Sequence, residues 1–318
     1  MGRFVLRRLL GMVVVLFAIS VLTFLIFNVI PASDPARSMA GKNASPQLVA
    51  NITEEWGFDE PLPQQYLTMM GKIFSGDLIS YEGREPVDER IVEGIPATVS
   101  LCIGAAVIWM FFGILFGYLS AVREGGKLDR VLTIVAVTGI SVPVFWLAAV
   151  LLNYLAYETG IFPSYGYVEF VDEPLDWAYH LILPWITLAI VYVGFYSRVL
   201  RSSMIDVMDE DYVRTARAKG LSERRVMTRH VLRNALIPIV TLFGLDVGAL
   251  LGGAILVEGI FGLNGVGQYA VESLTNLDLP PIMAIVLYGA FFVVLFNALV
   301  DIAYAYLNPR VRLGSSAR

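Results

Sequence analysis

The sequence predicts an all-α membrane protein with six transmembrane helices. Apolar residues make up 57% of the 318 positions, whereas charged residues make up 16%, well below the roughly 25% of an ordinary soluble domain. The mean hydropathy is +0.67, and six long stretches are almost free of charge. This composition excludes a typical soluble enzyme, a disordered chain and a disulfide-rich secreted domain. The single cysteine, Cys102, excludes an internal disulfide.

The six weakly charged stretches predict the membrane spans. They are 9–33, 94–122, 131–157, 177–197, 234–257 and 279–300, of which only the fifth contains a charged residue, Asp246. Each has about 20 residues or more, enough for a helix to cross about 30 Å of hydrocarbon. Helices are expected because the backbone polar groups need internal partners in lipid. Pro143 lies inside the third stretch and should kink that helix.

The distribution of Lys and Arg predicts the orientation in the membrane. Basic residues are concentrated before the first span and in three further segments, 123–130, 198–233 and 308–318. The 158–176 and 258–278 segments have none, and the 31–96 segment has five beside eleven acids. By the positive-inside rule both termini should be cytoplasmic, in a multi-pass protein of the cell (inner or cytoplasmic) membrane.

The 31–96 segment is too long for a plain connector and is expected to be a small extracytoplasmic subdomain between helices 1 and 2. Its patterns predict short helices around 46–56 and 63–75. Its acidity could attract a basic partner, or it could be a solvated face that packs on the outer helix ends. The expected organisation is therefore 1–30 (N-terminus and first span), the 31–96 subdomain, a core at 97–307 that contains helices 2–6 and the cytoplasmic 198–233 loop, and a cytoplasmic tail at 308–318.

The basic 198–233 segment is polar yet has helical signals. Acids at positions 209–211 favour the start of a helix. Gly220 can adopt the left-handed conformation that ends a helix, and Ser222 can cap the next one. A helix–Gly–helix unit is therefore expected on the cytoplasmic face.

The two faces of this unit differ in chemistry. One is expected to carry Tyr212, Ala216 and Leu221, and the other Arg214, Arg217 and Arg224. A short amphipathic helix of this kind can dock on another chain. The alternative is a basic loop that only determines topology. Nucleic-acid binding is disfavoured because nine basic residues are offset by five acids and no recognised fold accompanies them.

The sequence carries no sign of catalysis. It has no G-x-x-x-x-G-K-[ST] motif, and the glycine-rich 262–268 run lacks the Lys and the Ser or Thr that bind phosphate and Mg²⁺. No nucleophile–base group stands out, and His180 and His230 lie far apart without cysteine partners. We expect a non-catalytic chain with no catalytic residues, cofactor or metal. If ATP drives transport, another chain must supply the ATPase.

Polar groups inside the spans are the other candidate site residues. Asp246, near the middle of the fifth span, could line a pathway, form a structural hydrogen bond or couple to protons. Glu258 closes the same span and is the second pathway candidate. Glycines four residues apart form flat faces for helix packing: Gly244, Gly248 and Gly252 in the fifth span, and Gly113 and Gly117 in the second.

Several short motifs follow one another along nearly the whole chain. They include Ile30–Pro35, Gly57–Leu62, Ser75–Leu78, Ser141–Phe145, His180–Pro184, Asp211–Leu221, Arg233–Pro238, Glu258–Phe261, Gly265–Gly267 and Asn308–Arg310. In this order and on this topology, the chain resembles the first permease subunit of dipeptide and oligopeptide ABC importers. The resemblance implies the fold of an ABC importer permease. Two departures are Gly259, where Thr is common, and Asn308, where Asp is common.

The resemblance also implies a role for the 198–233 segment, which corresponds to the E-A-A-x-x-x-G loop that docks on an ATPase. Arg214, Thr215 and Ala216 take the place of Glu-Ala-Ala, and Gly220 matches the glycine. The residues implied in coupling are Asp211, Tyr212, Arg214, Thr215, Ala216, Arg217, Ala218, Lys219, Gly220 and Leu221.

The partners implied by the resemblance are a second permease, two cytoplasmic ABC ATPases and an extracytoplasmic substrate-binding protein, all assembled at the lipid bilayer. Short peptides are the implied substrates, but nickel, glutathione or another small solute stays open. The alternative class is an autonomous secondary transporter or channel that uses Asp246. The inverted repeat of broken helices that is frequent in secondary transporters is not evident in the sequence.

Overall fold

The computed structural model describes residues 2–29, 35–40 and 45–307. The motif at 30–34, the 308–318 tail and the side-chain surroundings of 247–249, 251–253 and 299–307 lie outside this description. The helices up to residue 158 are α1 (Gly2–Phe24, with a π-helical turn Leu25–Val29), α2 (Pro35–Ala40), α3 (Pro46–Trp56), α4 (Leu62–Ser75), α5 (Val87–Val122), α6 (Lys127–Ser141) and α7 (Val144–Leu151, with a π-helical turn Leu152–Glu158). They are followed by α8 (Pro174–Met208), α9 (Asp211–Ala218), α10 (Glu223–Arg225, with a π-helical turn Val226–Val231), α11 (Leu232–Phe261), α12 (Val266–Asn276) and α13 (Leu279–Leu307).

The helices agree with the all-α membrane fold that the sequence predicts. Four are long and apolar enough to cross a membrane, at Leu6–Val29, Val87–Val122, Pro174–Met208 and Leu279–Ala298. The number rises to six if each of two bent helix pairs counts as one span. The 234–257 stretch lies within the continuous helix α11.

The third predicted span is broken rather than kinked. Helix α6 ends at Ser141 and α7 begins at Val144, and the two segments are bent by 100°. Val142 is extended, with φ −84° and ψ 125°. The ring of Pro143 disfavours a helical conformation at the residue before it, so the helix stops there instead of bending.

By its internal packing the chain divides into two units, Met1–Thr98 with Leu263–Arg318, and Val99–Gly262. The first unit contains the helices predicted at 46–56 and 63–75, which are confirmed as α3 and α4. The Ser45 hydroxyl accepts a hydrogen bond from the Leu48 N–H and caps α3, and Gly57 ends it with φ +63°.

Helices α3 and α4 share one hydrophobic core with α1 and α13. Buried members from these four helices are Phe24, Trp56, Met69 and Met283. The helices of the 31–96 segment are therefore packed against membrane-spanning helices of the same unit.

The turn after α4 is tied to the turn between α12 and α13. The Asp278 carboxylate accepts hydrogen bonds from the Ser80 hydroxyl at 2.5 Å and from the backbone N–H groups of Tyr81 and Glu82 at 3.3 Å. The Trp56 indole donates to the Tyr81 hydroxyl at 2.7 Å, and burial raises the pKa of Tyr81 to about 12. Because Asp278 is buried, these donors replace the water that its carboxylate loses.

The second unit is built around α8, which packs against α6, α7 and α11. The predicted packing role of the glycines in the second span is confirmed. A Cβ atom added at Gly113 would lie 2.8 Å from Tyr196 Cβ, and one at Gly117 would lie 2.8 Å from Leu200 Cβ. Only glycine allows α5 to approach α8 this closely.

Candidate functional site

The helix–Gly–helix unit predicted in the 198–233 segment is present. Helix α9 covers Asp211–Ala218, with Glu210 extended at its N-cap. Gly220 follows with φ +78°, and Ser222 is the N-cap of α10 although its side chain makes no capping hydrogen bond. The left-handed glycine reverses the chain between the two short helices.

The buried face of α9 differs from the predicted face. Val213 and Ala216 are buried and Leu221 is half-buried, but Tyr212 is 42% exposed. The Asn234 side-chain amide donates to the Tyr212 hydroxyl at 3.0 Å. A phenol can stay at the surface when its hydroxyl has a partner, so the smaller apolar residue Val213 takes the inner position.

The opposite face of α9 is open. Its exposed residues are Asp211, Arg214, Thr215 and Ala218, and Lys219 is exposed just beyond the helix. This face combines charges of both signs with a small alanine at the last position of the helix. It is suited to docking on a second protein surface, with Val213 and Ala216 anchoring the helix from below.

An ion pair closes the turn between α9 and α10. Arg217 donates to the two carboxylate oxygens of Glu223 at 3.2 and 2.8 Å. The hydrogen bonds from the Arg217 guanidinium lower the pKa of Glu223 below its usual range, and those to Glu223 raise the pKa of Arg217. The pair spans Gly220 and holds the two short helices in one arrangement.

Asp246 on α11 is hydrogen-bonded to α8. The Tyr196 hydroxyl donates to Asp246 Oδ2 at 2.7 Å. Beside them the buried Trp109 stacks on Tyr192 at 4.5 Å and meets Phe243 at 5.8 Å. Of the three roles that the sequence leaves open for Asp246, this packing favours the structural hydrogen bond. A role of Asp246 in lining a pathway stays a prediction.

The other intramembrane candidates do not join Asp246 in one site. Glu258 is fully buried, but it lies twelve residues farther along α11, about 18 Å at 1.5 Å per residue. Gly244 is buried in α11. Gly248 and Gly252 belong to the same helix, and their surroundings lie outside the described residues.

The sequence does not reveal a buried polar cluster formed by three helices. Asp129 of α6 accepts two hydrogen bonds from Arg201 of α8, and further ones from the Ser120 hydroxyl and the Gly125 N–H. Asp129 and Arg201 are 72 residues apart. The sequence signal is limited to two acids, Glu124 and Asp129, in the 123–130 loop, and it does not show which of them is buried.

Over the residues that the structure describes, no three His, Cys, Asp or Glu side chains are placed to hold a metal ion.

Comparison with known families gives two matches that together cover almost the whole chain. The profile of the binding-protein-dependent transport system inner membrane component matches residues 113–313. The profile of the N-terminal region of such membrane components matches residues 1–102.

Individual relatives align over their full length. The chain is 39% identical over 313 residues to a Brucella abortus protein named as a peptide transport system permease, covering 98% of this chain and 99% of the relative. A glutathione transport system permease protein of Escherichia coli shows the same identity and coverage, and that of Salmonella choleraesuis is 40% identical with the same coverage.

Solved structures share the fold. Chains of the MetNI methionine ABC transporter in inward-facing conformations superpose with TM-scores of 0.52 and 0.57 at 18% identity. They cover 70% of this chain and 96% and 99% of the transporter chains.

Proposed function

The chain belongs to the family of binding-protein-dependent transport system inner membrane components, and we propose that it is the permease subunit of an ATP-driven importer of short peptides. The chain itself is the non-catalytic subunit in this proposal. A second permease forms the translocation pathway with it, two cytoplasmic ATPases hydrolyse ATP, and an extracytoplasmic binding protein delivers the substrate.

The proposed substrate class rests on relatives that align end to end with this chain. Relatives at 37 to 39% identity are named as peptide permeases, and others are named for glutathione, itself a tripeptide. Short peptides are the chemistry these names share.

The proposed coupling surface is the exposed face of α9. Val213 and Ala216 are buried beneath the helix, while Arg214 and Thr215 point away from that buried face. A rigid short helix with one buried and one open face can transmit the movement of a docked ATPase to the helices that hold it. This open face is the single observation that best supports the proposal.

The topology follows from the same assignment. If α9 meets a cytoplasmic ATPase, the basic 198–233 segment is cytoplasmic. The distribution of Lys and Arg then places both termini on the same side as α9 and the acid-rich 31–96 segment outside.

The test is recovery of the tagged chain from its native membrane in mild detergent, followed by mass spectrometry. We expect a second permease, ATPases with Walker motifs and a binding protein. Recovery of this chain alone, still able to transport in liposomes, would refute the proposal.

A matched pair of variants tests the docking face. Arg214→Glu reverses a charge on the open face of α9 and should reduce both ATPase recovery and uptake. Lys127→Glu makes the same reversal at an exposed position in the first turn of another helix, α6, and should change neither. Equal recovery of ATPases with both variants would refute docking through α9.

A further inference from the structure

One face of α4 is exposed and uncharged, although the surrounding segment is rich in acids. Gln64, Leu67, Gly71 and Phe74 follow one another at three- and four-residue spacing and so lie on one side of the helix. Leu67 is 67% exposed and Phe74 is 82% exposed. We refer to Leu67, Gly71 and Phe74 as the α4 stripe.

The other side of α4 packs on α1. The Tyr66 hydroxyl and the Ser20 hydroxyl are 2.7 Å apart, and the Tyr66 ring lies 5.7 Å from that of Phe24. One turn later, the Asn28 amide donates to the Met69 sulfur at 3.6 Å. Helix α4 therefore contacts the half of α1 that precedes the 31–96 segment.

These contacts determine how deep α4 lies. The apolar span of α1, Leu6–Val29, has 24 residues, about 36 Å at 1.5 Å per residue. Hydrocarbon is about 30 Å thick, so a centred span extends about 3 Å beyond it at each end. Ser20 precedes Val29 by nine residues, which places it about 10 Å inside the hydrocarbon boundary. On the same scale Asn28, the partner of Met69, lies at the hydrocarbon boundary, so α4 lies at this boundary and the Tyr66 side chain reaches inward from it. A helix held in water above the membrane could not bring the Tyr66 hydroxyl to the depth of Ser20.

Helix α3 has the opposite character. Its exposed positions include Gln47, Asn51, Glu54 and Glu55. The only charged side chain of α4, Lys72, turns toward α3 and pairs with Glu55 at 2.7 Å. The polar groups of α3 and α4 therefore lie on the α3 side of the pair, and the exposed apolar side chains of the α4 stripe lie on the other side.

We propose that α4 is an amphipathic helix in the leaflet that borders the 31–96 segment, with the α4 stripe against lipid acyl chains and α3 toward water. Helix α1 of the same unit also exposes apolar side chains, at Phe17, Leu22 and Ile26. Lipid is the occupant that the depth of Tyr66 and the lack of charge on the stripe together select.

The experiment measures the environment of single spin labels. The chain is isolated with its partners and reconstituted in vesicles of phosphatidylethanolamine and phosphatidylglycerol. The only cysteine is removed as Cys102→Ala, and labels are attached at Leu67→Cys and Phe74→Cys. Val13→Cys, 63% exposed in the middle of α1, is the lipid control, and Asn51→Cys on α3 is the water control.

Collisions with oxygen, which partitions into lipid, are compared with collisions with a water-soluble nickel chelate. Because the oxygen-to-nickel ratio rises with depth in the bilayer and α4 lies at the hydrocarbon boundary, we expect the ratio at positions 67 and 74 to lie clearly above that at 51 and below that at 13. A ratio like that at 51 would refute the proposal because the stripe would face water. Protection from both reagents would refute it in favour of a partner protein covering the stripe. Because no outcome depends on transport, failure here leaves the proposed importer function untouched.

Discussion

Arg201 and Asp129 form a bidentate ion pair that joins α8 to α6. Arg201 Nε lies 2.7 Å from Asp129 Oδ1, and its Nη2 lies 2.9 Å from Oδ2. The Ser120 hydroxyl donates to Oδ1 and the Gly125 N–H donates to Oδ2 at 2.8 Å. Each carboxylate oxygen therefore accepts two hydrogen bonds, which offsets the cost of burying the charge. Arg201 lies ten residues before α9, so this pair stabilises the part of α8 that leads into the proposed coupling surface.

Breaking this pair should destabilise the protein. Arg201→Gln leaves the buried Asp129 carboxylate without its charge partner. Removing one partner of a buried ion pair lowers the free energy of unfolding by about 3–5 kcal/mol. Because the Arg201 side chain is 30% exposed, we expect a loss at the lower end of this range. Thermal unfolding in detergent measures the loss. Arg198→Gln, an exposed position one turn earlier, should have little effect, and equal effects of the two variants would contradict the prediction. The double variant Arg201→Met with Asp129→Leu should recover much of the stability, because no charge is left buried.

Gly220→Ala should impair coupling through its backbone. An alanine held at φ +78° is strained by about 1–2 kcal/mol. Its Cβ would have no atom within 4 Å, so no steric clash adds to this strain. Gly160 is the matched control, since it has φ +64° and equally open space but lies in the 158–176 segment. We expect similar losses of stability from both alanine variants but a fall in uptake and ATPase association only for Gly220→Ala. If both variants transport equally well, the turn after α9 has no special part in coupling.

The Tyr196–Asp246 hydrogen bond should matter for stability rather than for proton coupling. Tyr196→Phe leaves the intramembrane carboxylate without this donor and should cost about 1–3 kcal/mol. Asp246→Asn keeps an oxygen that can accept from Tyr196, so stability and ATP-driven uptake should largely persist. The readouts are the unfolding temperature and uptake with and without a proton gradient. Loss of uptake by a stably folded Asp246→Asn protein would place Asp246 in transport itself.

The turn between α9 and α10 should loosen in acid. Because Arg217 lowers the pKa of Glu223 in the folded protein, the pair contributes stability above the usual glutamate pKa of about 4.3. That contribution is lost as the pH falls from this value through the lowered pKa. Both side chains are well exposed, so the effect should be below about 1 kcal/mol. Hydrogen exchange of amides 217–223, corrected for intrinsic rates, should increase more in acid for the unmodified protein than for Glu223→Gln, and equal increases would argue against the pair.

Local signals were sufficient for much of the fold. The helix predicted around 46–56 is α3, and the structure shows that it is capped by the adjacent residues Ser45 and Gly57, because caps satisfy backbone groups of the same helix. The same holds for Gly220, whose left-handed conformation is a property of its own backbone. Such features depend on neighbours within one or two turns and can be predicted without the tertiary fold.

Features that depend on side chains distant along the chain could not be predicted from the sequence. The choice of Val213 over Tyr212 for the buried face of α9 depended on Asn234, 22 residues away, which holds the tyrosine at the surface. The break in the third span is different, because Pro143 marked its position in the sequence, and only its extent, a bend of 100° rather than a kink, required the structure.

The sequence by itself determined which stretches are apolar enough to cross a membrane and where the short helices lie, because hydrophobicity and capping act locally along the chain. Only the tertiary structure decided that Asp129 meets Arg201, that Asp246 meets Tyr196 and that the Tyr66 side chain of α4 reaches the depth of Ser20. The physical reason is that these relationships are set by how helices distant in sequence pack, and packing is decided by the fit of whole faces rather than by any one segment.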